Sequence, residues 1–75
     1  MVKKIEVELS KTDELILDYL KKIKKPQTTY EIAKNLEISW ATVNLHCIKL
    51  HMNGLIKSKT KVSKTGAKKV IWWVE

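Results

Sequence analysis

Residues 38–54 read ISWATVNLHCIKLHMNG. Ser39 is a favoured helix N-cap, because its hydroxyl accepts an orphan backbone N–H of the first turn. Thr42, three residues on, echoes a capping box. Val43, Cys47 and Leu50 recur at helical spacing and form an apolar stripe. Gly54 can take the left-handed conformation that closes a helix. The pattern predicts a helix over residues 39–53. The side away from the stripe carries Trp40, Ala41, Asn44 and Leu45, none of them charged. A helix face in open water would carry Glu and Lys. A face that approaches base edges in a DNA groove carries small, amide-bearing or apolar groups.

Upstream, a short helix is expected over residues 29–35, with Thr28 as N-cap and Glu31 three residues later. Ile32, Ala33 and Leu36 turn inward, and the small Ala33 lets two helices cross closely. Gln27 and Thr28 are expected to connect this helix to another over residues 10–25. There, Ser10 and Asp13 make a capping box, with Asp13 and Glu14 at the positive end of the helix dipole. Lys21, Lys22, Lys24 and Lys25 lie at its negative end, and Pro26 stops it. Ile16, Tyr19, Leu20 and Ile23 supply an inward stripe that Leu15 and Leu17 widen. Residues 2–9, VKKIEVEL, alternate apolar and charged side chains as a strand does. Such a strand needs a sheet edge, either in its own chain or in a second copy.

Downstream, residues 55–62 and 68–74 read as two strands joined by a turn over residues 63–67, with Gly66 at its tip. Val70, Trp72 and Val74 should face the core, leaving Ile71 and Trp73 outside. Lys57, Lys59 and Lys61 share one face, and Lys64, Lys68 and Lys69 crowd the loop. Six lysines on one hairpin repel each other unless they meet negative charge.

The whole chain points the same way. Its 75 residues form one small domain, residues 1–75, with a formal net charge of +7. All 15 basic residues are lysines. That excess favours a polyanion, nucleic acid before an anionic membrane surface. Lysine suits phosphate contact, whereas arginine is the usual bidentate reader of guanine. The single cysteine fits a reducing compartment. No apolar run approaches the ~20 residues of a membrane span, and the N-terminus lacks a signal-peptide pattern. A cytoplasmic, nucleoid-associated protein is expected. No nucleophile–base pair, paired-carboxylate cleft or glycine-rich phosphate loop is present, so the pattern is not that of an enzyme and implies no cofactor. Cys47 and His51 stand one helical turn apart, a spacing that can hold a metal. Cys47 lies on the core stripe, however, where a lone cysteine acts as a small hydrophobe, and no metal is expected.

The segment TTYEIAKNLEISWATVNLHCIKLHMNGLI resembles the winged helix-turn-helix domains of prokaryotic transcription regulators, such as the MarR and ArsR groups. The matching residues are Ile32, Ala33, Leu36, Ile38, Ser39, Thr42, Val43, His46, Leu50 and the Gly54-Leu55-Ile56 entry to the hairpin. The resemblance implies an α+β fold: a three-helix core, a C-terminal β-hairpin wing, and the N-terminal strand as a candidate addition. It also implies that the third helix enters the DNA major groove while the second rests on the backbone. The wing would then reach flanking phosphates or a minor groove. Candidate contacts are Thr28 and Thr29 at the start of the second helix, and Ser39, Trp40, Ala41, Thr42, Asn44, Leu45 and Lys49 on the third. The wing adds Lys57, Lys59, Lys61, Lys64, Lys68 and Lys69. Asn44 suits adenine and Leu45 a thymine methyl. The absence of arginine departs from the family and speaks against strong guanine readout. The extra helices with which many relatives dimerise and bind effectors are also missing, so no small-molecule effector is implied. The expected partner is double-stranded DNA, read by a homodimer that packs Ile71 and Trp73, with Ile5 and Val7, across a two-fold axis. The competing readings are a module for RNA or protein contact and a nonspecific chromatin protein.

Overall fold

The computed structural model describes residues 9–75. The elements are α1 (Lys11–Ile23), β1 (Gln27–Thr28), α2 (Thr29–Leu36), α3 (Trp40–Met52), β2 (Lys57–Val62) and β3 (Lys68–Trp73). The strand expected over residues 2–9 lies outside the described residues, apart from Leu9, which packs half-buried against the core.

Each helix starts where its side chains can satisfy its first N–H groups. In α1, the Ser10 hydroxyl accepts the Asp13 N–H and the Asp13 carboxylate accepts the Ser10 N–H. In α2, Thr28 and Glu31 repeat that exchange. In α3, Ser39 accepts the Thr42 N–H and donates to the Thr42 hydroxyl. The ends differ from expectation at α1. Lys24 turns left-handed, φ 52°, and donates its N–H to Leu20 O, so the helix closes two residues before Pro26. After α3, the Gly54 N–H bonds His51 O and the Leu55 N–H bonds Leu50 O, a Schellman closure around the left-handed Gly54.

The hairpin pairs as its lysine spacing requires. Lys57, Lys59 and Lys61 stand opposite Trp73, Ile71 and Lys69, while Ser58 and Thr60 stand opposite Trp72 and Val70. The sheet order is β1-β3-β2, all antiparallel. Gln27 and Thr28, expected to be a plain connection, are the third strand, paired with Trp72 and Ile71. A two-residue strand has no periodicity to read, and it forms because β3 passes alongside with open backbone groups. β3 is therefore the central strand. It has β2 along one side and, on the other, β1 at Ile71 and Trp72.

Ile16 and Leu20 from α1, Ile32 from α2, and Val43, Cys47 and Leu50 from α3 fill the core, with Ile56 and Trp72 closing it from the hairpin. Leu15, expected to face inward, is exposed, because the buried line of α1 runs through Asp13, Ile16, Leu17 and Leu20, which leaves Leu15 on the other side. The Trp72 indole N–H donates to the Thr29 hydroxyl at 2.9 Å and fastens β3 to the start of α2. Tyr19 donates to Gln27 Oε1 and accepts from Asn35, linking α1, β1 and α2. Among the described residues, no helix is long and apolar enough to cross a membrane.

Candidate nucleic-acid interface

α3 is apolar on two sides. Val43, Cys47 and Leu50 are fully buried. The outward side exposes Trp40 (55%), Leu45 (67%), Ile48 (42%) and Met52 (80%), together with Ala41. A contiguous exposed apolar line of this kind is unfavourable in water. Asn44 is half-buried beside Trp40. A groove of about 720 Å³ runs from these two residues to the wing, past Thr28 and Tyr30 to Lys68 and Lys69.

The wing carries uncompensated charge. Among the described residues, no carboxylate pairs with any of its six lysines. Lys61 and Lys69 stand directly opposite each other in the ladder, an arrangement of like charges that destabilises a hairpin standing alone. The turn is held without charge: the Ser63 N–H bonds Ala67 O, the Gly66 N–H bonds Ser63 O, and Gly66 takes φ 85°.

A buried cluster fixes how α3 sits on α1. Asp13 has no solvent exposure. One carboxylate oxygen lies 2.6 Å from His46 Nδ1 and the other 2.6 Å from Lys49 Nζ. Burial alone would raise the carboxyl's pKa. The Lys49 ammonium, the Ser10 backbone N–H and His46 outweigh it and hold the group well below the usual carboxylate range. At the far end of α3, His51 Nδ1 meets Ile56 O at 3.1 Å, and the His51 ring packs edge-on against Trp72, 6.1 Å between centroids. The middle and the C-terminal end of α3 are thus tied to the scaffold that would present it.

Of the candidate contacts, Thr28, Thr29, Trp40, Asn44, Lys68 and Lys69 line the one groove. Ser39, Ala41, Thr42 and Leu45 also lie in or beside the first half of α3, and Lys57, Lys59, Lys61 and Lys64 elsewhere on the hairpin. Two do not sit as expected. The Thr29 side chain is buried, at 5% exposure, because its hydroxyl serves Trp72. Lys49 turns toward α1 and pairs with Asp13, which offsets its charge. Sequence reasoning missed Tyr30, exposed beside the groove. Its signal was available, since Thr29, Ile32 and Ala33 facing inward leave residue 30 outside. It also missed that the outward stripe of α3, which Ile48 continues, runs on to Met52. Cys47 is buried, and burial pushes its thiol up to about 12. Among the described residues, no group of three His, Cys, Asp or Glu stands close enough to hold a metal ion.

No family model matches the chain, and no curated protein matches it. Solved structures do. A protein described as a possible transcriptional regulator from Methanosarcina mazei Go1 superposes with a TM-score of 0.83 at 19% identity, over 89% of this chain and 57% of the other. The zinc-responsive MarR family member ZitR of Lactococcus lactis superposes with a TM-score of 0.72 at 32% identity, over 96% of this chain and 47% of that one. A cysteine-to-serine mutant of ZitR, solved in complex with DNA, gives 0.70 at 33% identity, over 93% of this chain and 45% of that chain. The chain thus spans about half the length of these regulators. The three helices, the capped turn between α2 and α3, and the lysine hairpin make this chain a winged helix-turn-helix domain of the kind carried by prokaryotic transcriptional regulators, the MarR family among them.

Proposed function

We propose that the chain is a DNA-binding transcriptional regulator, or the DNA-binding part of one, acting in the cytoplasm on the nucleoid. In this reading α3 enters the major groove and the wing lysines rest on flanking phosphates or a minor groove. The observation that carries it is a juxtaposition. The uncharged Trp40 and Asn44 of α3 lie across one groove from Lys68 and Lys69, which no described carboxylate neutralises. A DNA duplex presents both complements, base edges in its groove and phosphates beside it. The DNA complex of ZitR, a relative of the same fold, supports the reading. The apolar length of α3 through Met52 favours one other reading, a protein-docking helix. Selection from a random duplex pool, then competition against bulk DNA, separates these. One enriched site, held at least about 10³-fold over bulk DNA, is the expected result. Binding without enrichment would make it a nonspecific chromatin protein. Failure to retain any duplex at low salt would leave protein contact.

We also propose that two copies bind together. One helix reads only a few base pairs, each contributing about 1–3 kcal/mol of discrimination. Two-fold repetition about 34 Å along the DNA doubles the site. The surface for this contact is the sheet face bearing the half-buried Ile71 and Trp73. Sedimentation equilibrium of the free protein should give twice the chain mass, and Trp73→Lys should return it to one. A single-chain mass at all concentrations, free and on DNA, would remove the dimer and leave the helix-in-groove reading standing.

A further inference from the structure

We infer that α3 recognises its site through the methyl groups of thymines, so that the target is A·T-rich. The inference rests on the DNA-binding reading and names what that site reads. Ala41, Leu45, Ile48 and Met52 recur at intervals of four, three and four residues and so form one continuous outward line. Leu45, Ile48 and Met52 are 67%, 42% and 80% exposed. A line of that length is unfavourable in water and calls for an apolar partner. The wing charges near the start of α3 identify the partner. Lys68 and Lys69 border the same groove as Trp40 and Asn44, and the wing has no described counter-charge. A second copy seated on α3 would bring two lysine wings together. A duplex instead sets phosphates against the lysines and its groove floor against the line. The thymine C5-methyl is the apolar group that the floor of the major groove displays. Asn44 adds the matching polar contact. Its amide is not taken up by a hydrogen bond within the described residues, and an amide pairs with adenine N6 and N7. No arginine is present anywhere to bridge guanine.

The test compares three duplexes of about 24 base pairs, just over two turns of DNA: mixed A·T, the same sequence with uracil for every thymine, and mixed G·C. Uracil removes the methyl and keeps the pairing and the phosphates. Each methyl taken out of water strengthens binding about fourfold. Two or three contacts therefore predict binding to the thymine duplex about 15- to 60-fold tighter than to the uracil duplex, with the G·C duplex also weak. Leu45→Ser, at an exposed position that leaves the core intact, should shrink the thymine-to-uracil ratio to a few-fold without changing the salt dependence. Equal, salt-dependent binding to the thymine and uracil duplexes would overturn the thymine readout and leave DNA binding in place. G·C binding as tight as A·T would overturn it as well. Absence of binding to all three at about 50 mM salt, where phosphate contacts are strong, would overturn the DNA reading and the inference together.

Discussion

Asp13→Ala should lower the unfolding free energy by about 3 kcal/mol and the thermal midpoint by about 15 °C. The substitution removes three things at once. It breaks the capping box, since the Ser10 N–H loses its acceptor, which costs about 1 kcal/mol. It leaves a small void in a site with no solvent exposure. It also strips His46 and Lys49 of their shared anion. The Lys49 side chain is 42% exposed, so water recovers part of that loss and the total falls below the cost of orphaning a fully buried charge. Asp13→Asn keeps the shape and loses the charge, and should cost less. The pH dependence follows from the sign of the shift. The folded carboxyl is held below its unfolded value, which is near 4. Its stabilisation is therefore complete above that value and is lost as the pH falls through it toward the lowered folded one. Urea unfolding at about pH 7 and pH 3, on either side of the unfolded value, should show a larger acid loss for the natural chain than for Asp13→Asn. Equal losses would remove Asp13 from the account of acid stability.

This cluster also shows where sequence reading stops. Asp13 reads as a capping residue, and it is one. Nothing in its spacing says that its two oxygens also meet His46 and Lys49 of another helix. That contact is set by the α1–α3 crossing, a tertiary fact that leaves no local period. The same limit hid β1, whose two residues pair only because β3 runs beside them, and buried Thr29 under Trp72. Local chemistry carried further. The caps at Ser10, Thr28 and Ser39 set where the helices begin. The closure at Gly54 sets where α3 ends, and the alternation of Val70 and Trp72 with Ile71 and Trp73 sets the faces of β3. The face of α3 was visible as an uncharged patch with Ile48 following it, but its continuation to Met52 emerged only once the orientation of the helix on its core was known.

The affinity of the protein for duplex DNA should fall about 500-fold between about 50 and 200 mM salt. Six lysines lie on the wing. If about five of them meet phosphate in each copy, they displace the counterions that the DNA holds there, and the slope of log K against log salt is about 0.9 per phosphate neutralised. The expected slope is about −4 to −5 per bound chain. Lys59 and Lys68 lie on different strands and stand opposite Ile71 and Val62, not opposite another lysine. Lys59→Ala and Lys68→Ala should each weaken all sequences alike and reduce the slope by roughly one. Lys49→Ala should change the slope less, because that ammonium already answers Asp13. The salt titration of duplex binding, run side by side on the natural chain and Lys59→Ala, is the most direct test of the helix-and-wing account. The account predicts a steep line for the first and a slope smaller by roughly one for the second. A slope near zero, or two lines of equal steepness, would contradict it.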